Sequence, residues 1–425
     1  MNMSGLAGSA AAGYTQPGVA AGLVLDPNGR PVQQFASPIG QDRLVRQEVM
    51  LGTVREIVPP QNQIGLQLFP FMEVPTDDVI FNYALGVTDG LAPARAEDAE
   101  SELAQKDDIF AGEGRASVID WAVKDHYTSS DVSRYREWLR IQEQIRDLGN
   151  IPLTTQSMTA DFAARVARDT VRRRRKLDNR LEWLIMTSLA TGSITYNDGK
   201  IKFTVPWGRP GNQILTSGTS TGVGATPASY PLGAAWSATT SDPIKDITSI
   251  QQHCYDTYGV RITRAIASRR ILNAILNSDR FAARSGLVVG GTPNSTIDPK
   301  YLIDGWGPNA AQAIVEQQTG LSFIEYDAVY RTRAVGATTP TVTRFIPDDV
   351  IVFLPDEADI AEFDDTGLGL GRVLTSPHPA GNWTPGFYAW EKEFGQDPWG
   401  MDAGTGIKAF PVFPHMEKTY TLDVL

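Results

Sequence analysis

Histidines stand at positions 126, 253, 378 and 415, and none has a partner at the spacing metal ligands require. His253 directly precedes Cys254, but on a helix adjacent side chains point about 100° apart and do not easily chelate one ion. Gly367-Leu368-Gly369-Leu370-Gly371 superficially resembles a nucleotide loop. Pro377 follows six residues after Gly371, so no helix can open there to offer its N-terminus to a phosphate, and a turn-rich loop is expected. The acidic doublets Asp348–Asp349, Asp356–Glu357 and Asp364–Asp365 could supply general acid/base carboxylates and keep an α/β hydrolytic enzyme open as a function class. Such doublets in turns are usually solvated. No GxSxG elbow and no P-loop occurs, and the single cysteine, Cys254, excludes an internal disulfide framework and a cysteine-rich zinc site. No cofactor or metal is expected. The densest chemistry left is cationic: Arg172, Arg173, Arg174, Arg175 and Lys176 in unbroken succession.

That run lies in the middle of a stretch that reads as one helix, Thr159 to Thr191. Phe162, Val166, Thr170, Leu177, Leu181, Leu184, Ser188 and Leu189 recur at helical spacing, and no Pro or Gly intervenes before Gly192. Thr159 suits the N-cap, Asp161 suits the first turn, and Gly192 sits where a left-handed C′ residue belongs. Five consecutive cations wrap such a helix, so they cannot all face a core. The helix therefore wants a sheet beneath it and an acidic partner above it. The chain offers one. Thr76 to Ser130 carries twelve acids against four bases, while the helix carries eight bases against four acids. The two faces could be separately solvated, or the acidic segment could lie across the basic helix, in the same chain or in a neighbour.

The chain has 425 residues, enough for more than one core, with 42% hydrophobic and 20% charged residues. A net charge of −11 argues against a dedicated nucleic-acid-coating protein. No signal-like segment and no run of about 18 apolar residues is present, so a soluble, cytoplasmically made protein is expected. Residues 1 to about 40 are rich in Gly, Ala, Pro and Gln and read as a flexible arm. Gly65–Pro70, Val79–Tyr83 and Ala116–Val123 read as strands. The roughly thirty polar residues between the last two make best sense as a projecting hairpin. A helix capped by Ser130 or Asp131 runs to Gly149. Beyond the long helix, Asn197-Asp198-Gly199 signals a hairpin. Ser241-Asp242-Pro243 opens a helix that Gly259 stops, with Ile244, Ile247, Ile250 and Cys254 as its stripe. Strands at Val260–Ala267, Leu321–Tyr326, Val342–Ile346 and Val350–Leu354 alternate with helices at Ser268–Asn277 and Asn309–Thr319, the pattern of an α/β domain. Two closing strands, Gly406–Phe413 and Thr419–Val424, are expected to return to the sheet under the long helix.

Several short motifs in this order resemble one family. Leu189-Ala-Thr-Gly-Ser-Ile-Thr-Tyr196 closes the long helix and enters the hairpin. Val205-Pro-Trp-Gly-Arg-Pro-Gly-Asn212 is followed by Trp236-Ser237 and then Ser241-Asp-Pro-Ile-Lys-Asp-Ile247. Phe345-Ile-Pro-Asp-Asp-Val350 and the closing sequence from Asp397-Pro398 to Val424 complete the set. Together they resemble the major capsid proteins of lambda-like tailed phages, the phage major capsid protein E family, over roughly residues 50 to 425. The first forty residues and the insertion Ser217–Gly233 have no counterpart.

The resemblance implies an α+β chain with the Hong Kong 97-type capsid fold. Its parts would be an N-terminal arm at 1–50, the start of a peripheral domain at 51–75 and an extended β-hairpin loop at 76–130. The peripheral domain with its long spine helix and β-hairpin would span 131–240, the α/β axial domain 241–380, and strands returning to the peripheral domain 381–425. It also implies a non-enzymatic virion protein, assembled in the host cytoplasm, whose hexamers and pentamers close into an icosahedral head shell around double-stranded DNA. Its partners would be itself, a separate scaffolding protein and a portal, with a decoration protein as an option, DNA touched only non-specifically, and no membrane. An encapsulin-like compartment built on the same fold is the neighbouring alternative. The inter-subunit contact candidates are Arg172, Arg173, Arg174, Arg175 and Lys176 on the helix. Opposite them stand Glu97, Asp98, Glu100, Glu102, Asp107 and Asp108 in the loop, a complementarity that sets register more than affinity.

Overall fold

The long helix organises everything around it. In the computed structural model it runs Thr155–Thr191, starting one turn before the expected cap, so Thr159 is a helical residue. Nothing after Pro152 forbids the extension, since Thr, Gln and Ser are tolerated in a first turn. At its other end Gly192 adopts φ 70° and its N–H closes on Ser188 O at 2.8 Å. Every stripe residue read from the sequence is buried. The two hydroxyls in the stripe are satisfied internally: Thr170 Oγ1 donates to Val166 O, and Ser188 Oγ to Leu184 O.

The structure describes residues 47–85, 110–131, 155–198, 201–217, 221–222, 232–238, 240–276, 278, 308–333, 338–362, 364, 367–396 and 399–424. Among the described residues, two complete short helices precede the long one: α1 (Gln47–Glu56) and α2 (Gly65–Leu68), the long helix being α3. Four more are described after it: α4 (Pro243–Tyr258), α5 (Arg269–Leu276), α6 (Pro308–Thr319) and α7 (Glu357–Glu362).

A five-stranded sheet lies against α3. It contains β1 (Phe71–Glu73), β4 (Asp120–Thr128), β14 (Arg372–Thr375), β15 (Phe387–Gln396) and β16 (Trp399–Val412). β16 is its axis: residues 400–407 pair with both β15 and β4, and 409–412 pair with β14. Gly404 and Gly406 are required there. A Cβ would come within 2.2 Å of the Trp390 ring at the first and 2.4 Å of Tyr388 at the second.

A six-stranded sheet holds the α/β part, in the order β10 (Ser322–Glu325), β9 (Ile262–Ala267), β13 (Val350–Pro355), β17 (Tyr420–Asp423), β7 (Ile214–Thr216), β8 (Thr221–Gly222). Its core joins Ile244, Ile247, Ile250 and Cys254 of α4 to Ile271, Leu272 and Ile275 of α5 and to Phe353 and Leu422. Each such side chain contributes roughly 1.5–3 kcal/mol on burial. α4 begins as its sequence dictates: Asp242 accepts from Lys245 N, Pro243 occupies N1, and Gly259 ends it at φ 68°. Asp246 in its first turn takes the Trp236 indole N–H at 2.9 Å and Gly233 N at 2.7 Å. The Trp-Ser and Asp-Pro-x-x-Asp-Ile motifs are thus two halves of one buried lock.

Three antiparallel pairs complete the described structure: β2 (Asp78–Leu85) with β3 (Phe110–Ser117), β5 (Ser193–Asn197) with β6 (Lys202–Pro206), and β11 (Val329–Thr332) with β12 (Thr341–Arg344).

Several expectations are corrected. Gln47–Met50, placed in the arm, belong to α1, where Met50, Leu51 and Val54 are buried. Gly65–Leu68 is a helical turn, not a strand, because the Glu182 carboxylate caps Ile64 N and Gly65 N at 3.1 and 2.9 Å. The 116–123 run breaks at Val118–Ile119 into the end of β3 and the start of β4. The last strand, β17, enters the six-stranded sheet between β13 and β7; β16 alone returns beneath α3. β14 and β15 were not anticipated. The helix expected after Ser130 is described only through Asp131; the rest of it, and the tip of the hairpin between β2 and β3, lie outside the described residues. Among the described residues no helix is long and apolar enough to cross a membrane.

Candidate interaction surface on the long helix

The basic run divides by helical geometry. Arg173 and Arg174 continue the Thr170–Leu177 stripe and are buried; Arg172, Arg175 and Lys176 turn outward. Arg173, with a fully buried side chain, spreads its guanidinium across the sheet. It donates to Asp125 Oδ2 at 2.7 Å, Thr170 Oγ1 at 2.7 Å, Tyr127 Oη at 3.2 Å and Thr405 Oγ1 at 3.3 Å. Arg174 pairs with Asp178 one turn on, donates to Val54 O at 3.2 Å and lies 3.1 Å above the Phe387 ring centroid. Burial pulls its pKa down to about 9. Both arginines thus serve their own protomer, and they leave the set available to a neighbour.

The acidic segment also turns partly inward. Asp125 of β4 is the Arg173 partner, so β4 crosses the basic helix in the same chain. Asp77 is held below the usual carboxylate range by the hydrogen bond from Lys408 and by Ser376. Asp120 accepts from Tyr388 Oη at 2.5 Å. Glu97, Asp98, Glu100, Glu102, Asp107 and Asp108 lie outside the described residues.

What remains outward is cationic. Arg172 has 76% of its side chain exposed and touches Asp169 at 3.3 Å. Arg175 and Lys176 are exposed, and neither makes an ion pair among the described residues. Lys176 also borders a cleft of about 640 Å³ between α3, the β5–β6 hairpin and the β11–β12 ribbon. Lys176, Arg180, Arg331 and Arg333 face it against one acid, Asp198. Arg180 is fixed there over the rings of Tyr196, Trp183 and Trp121, at 5.0 to 5.4 Å. The ribbon arginines were not singled out from sequence, because they reach the helix from some 150 positions away. Arg173 and Arg174 could have been, since the apolar stripe itself passes through them.

Arg209 and Glu182 are two further buried polar groups whose partners sequence reasoning did not place. Arg209 donates to Leu189 O at 2.9 Å, Thr421 Oγ1 at 2.6 Å and Thr419 Oγ1, tying the C-terminal turn of α3 to β17. Burial lowers its pKa to about 9. Its sequence signals are its place in the Val205–Asn212 motif and its setting between Gly208 and Pro210. Glu182 takes Tyr326 Oη at 2.6 Å in addition to the α2 amides, and burial raises its pKa.

The chemistry-bearing residues stand apart from one another. His126 meets Asp402 at 2.6 Å, His253 meets Tyr420 Oη at 2.7 Å, and His415 meets Asp364 at 3.4 Å. Asp348 pairs with Arg270, Asp356 caps α7 through Ala358 N, and Glu357 pairs with Arg264. Cys254 is buried, which pushes its thiol up to about 12.

The family model for phage major capsid protein E matches residues 47–363, most of the chain. A crystal structure of a protein assigned as the capsid protein of a prophage in E. coli CFT073 superposes with a TM-score of 0.51. It is 16% identical, and the match covers 89% of this chain and 99% of that one. A phage-related protein from Bordetella bronchiseptica RB50 has a TM-score of 0.47 and 12% identity over 89% of this chain and 97% of that one. The SrpI encapsulin of Synechococcus elongatus PCC 7942 reaches 0.38, with 9% identity over 87% and 89% of the two chains. No curated protein sequence matches.

Proposed function

The chain belongs to the phage major capsid protein E family, and from that premise we propose how its copies meet in the shell they build. The protein is a phage capsid shell protein of Hong Kong 97-type fold and a component of the virion. The encapsulin-like alternative is weaker, because the matching family model is that of a phage capsid protein. The hydrolase alternative has no support in the carboxylate doublets, of which Asp356 serves as a cap, Asp348 and Glu357 pair with arginines, and Asp364 accepts from Gly369 N.

In our reading the subunits form hexamers and pentamers that close into a head shell around double-stranded DNA. Residues 76–130 act as the extended loop, 131–240 and the β14–β16 strands as the peripheral domain, and 241–380, apart from β14, together with β17 as the axial domain. Glu97, Asp98, Glu100, Glu102, Asp107 and Asp108 of one copy lie over Arg172, Arg175 and Lys176 of the next. A separate scaffold and a portal are needed for assembly, a decoration protein is optional, and DNA is touched without sequence preference. One observation carries the interface: two of five consecutive cations are satisfied inside the protomer while three are held outward on a rigid helix.

The test is the triple variant Arg172→Glu, Arg175→Glu, Lys176→Glu. Its subunit should melt within about 1 kcal/mol of wild type, since exposed charges contribute little to folding. Its particle yield by sedimentation and electron microscopy should collapse, and Glu97→Lys, Asp98→Lys, Glu100→Lys on the same chain should restore part of it. Normal particles from the triple variant at physiological salt would refute the interface. Reversing all of Arg172–Arg175, by contrast, would unfold the subunit through Arg173 and Arg174.

A further inference from the structure

The connection between β14 and β15 carries an exposed tryptophan on a tightly built loop. Asn382 and Trp383 have φ 58° and 57°, the only non-glycine residues with positive φ among those described. A bulky L side chain rarely adopts this left-handed conformation, so the surroundings impose it. Gly381 N and Trp383 N both donate to His378 O, at 2.9 and 3.2 Å, Asn382 N to Pro379 O at 3.0 Å, and Thr384 N to Gly381 O at 3.2 Å. From α1, Gln47 Nε2 donates to Ala380 O at 3.1 Å and Arg55 Nη2 to Gly381 O at 3.2 Å. The His378 ring stacks on Tyr388 at 3.9 Å and 9°, and a bridge between Pro377 and Pro385 closes the base.

All this order ends in a side chain that packs on little. Trp383 is 71% exposed, and Val58, just beyond the α1 end that supplies Arg55, is 81% exposed. A strained, rigid aromatic facing solvent adds nothing to the protomer. It has the properties of an interface anchor: large area, few rotamers, and its ordering cost already met in the free subunit.

Charge selects the occupant. From Pro377 to Pro385 the loop carries no Lys, Arg, Asp or Glu, in a chain of net charge −11. Burial lowers the pKa of His378, its one titratable side chain, and so favours the neutral ring. DNA would require a cluster of cations, whereas among the described residues Arg55 is the one cation hydrogen-bonded to the loop, and a strongly charged protein would require a matching charged patch. Two copies of an acidic chain approach with least repulsion where neither bears charge.

We propose that Trp383 is a preformed contact between subunits of the shell, seated against a second copy of this chain. The inference rests on the capsid reading above and adds a second surface to it. Trp383→Cys allows a direct test, because the one native thiol, Cys254, is buried and gives a low background. Maleimide should label free Trp383→Cys subunits readily and label DNA-free shells at least about tenfold more slowly. Equal labelling in both overturns the contact. Protection that appears only in DNA-filled particles, or only after another phage protein is added, assigns the surface to that partner and overturns it too. Trp383→Asn guards against a folding artefact, since Asn tolerates the left-handed region. Its subunit should melt at or above the wild-type temperature, while the concentration needed for assembly rises about tenfold. An unchanged assembly threshold would refute the proposal. Wild-type subunits that form no shells even with their scaffold would remove the capsid reading itself, whereas shells with a reactive thiol remove only the contact.

Discussion

Arg173→Ala separates two ways of reading the basic run. The wild-type side chain is fully buried and donates four hydrogen bonds, one to a carboxylate. Breaking a fully buried ion pair costs about 3–5 kcal/mol, but Asp125 keeps 39% of its side chain exposed and can regain water. Thr170 Oγ1 still has Val166 O. The polar loss is therefore about 2 kcal/mol, and the void left by the aliphatic stem adds roughly 1 kcal/mol more. The expected destabilisation is about 3 kcal/mol, with Arg173→Met intermediate because it fills the void but leaves Asp125 unpaired. Arg175→Ala, two residues on and exposed, should stay within about 0.5 kcal/mol of wild type. Urea unfolding of unassembled subunits, followed by tryptophan fluorescence, measures all three on one scale. Equal effects at 173 and 175 would mean that the run works as a single outward face. So would a loss of assembly from Arg173→Ala with no loss of subunit stability.

Gly65→Ala should cost about 2–3 kcal/mol in the same assay, because the new Cβ would lie 2.4 Å from Glu182 Oε2 against a side chain held by three donors. A change below about 0.5 kcal/mol would show that Glu182 can move. Glu182 also predicts a pH effect. Burial raises its carboxyl above the ordinary 4.5, so the folded protein holds that proton more tightly than the unfolded chain. Its contribution is fully present below 4.5 and is lost as pH rises through the folded value. The stability of wild type relative to Glu182→Gln should therefore fall with rising pH across that window. A difference that stays flat or rises between about pH 4 and 8 contradicts the burial argument.

Where folding was written in neighbouring residues, the sequence was readable. α4 announced itself by Asp242, Pro243 and Gly259, and the end of α3 by Gly192, because caps and left-handed glycines act within a single turn. The β5–β6 hairpin followed from Asn197-Asp198-Gly199 for the same reason. Gly65–Leu68 was misread as a strand because its cap comes from Glu182, 117 positions later, and no local pattern records that. The sheet joined by β17 was misassigned because alternation fixes which faces are buried and leaves the neighbour open. Pairing with β13 and β7 decides it. For the candidate surface, the cationic run was visible at once. Its division into inward and outward residues followed only when the apolar stripe was carried through Arg173 and Arg174. The cleft arginines at 331 and 333 were out of reach, since their approach to Arg180 depends on how the β11–β12 ribbon docks.

The same helix joins the two sheets, and this bears on why its outward cations suit an interface. Its middle is fixed to the five-stranded sheet by Arg173, and Arg174 ties it to α1 and the Phe387 ring. Glu182 then ties it to Tyr326 beside β10, and its last turn is held to β17 through Leu189 O, which accepts from both Arg209 and Thr421. Arg172, Arg175 and Lys176 therefore project from a backbone stretch whose buried side is held by ion pairs and packing. Charges on so stiff a base lose little backbone freedom when a partner arrives, and more of the contact energy remains for register between copies. A load applied there is shared with both sheets. Replacing Arg209 would not alter the exposed cations, yet it would loosen the end of the helix that connects them to the α/β part. An interface built this way depends on buried residues that never touch the neighbour.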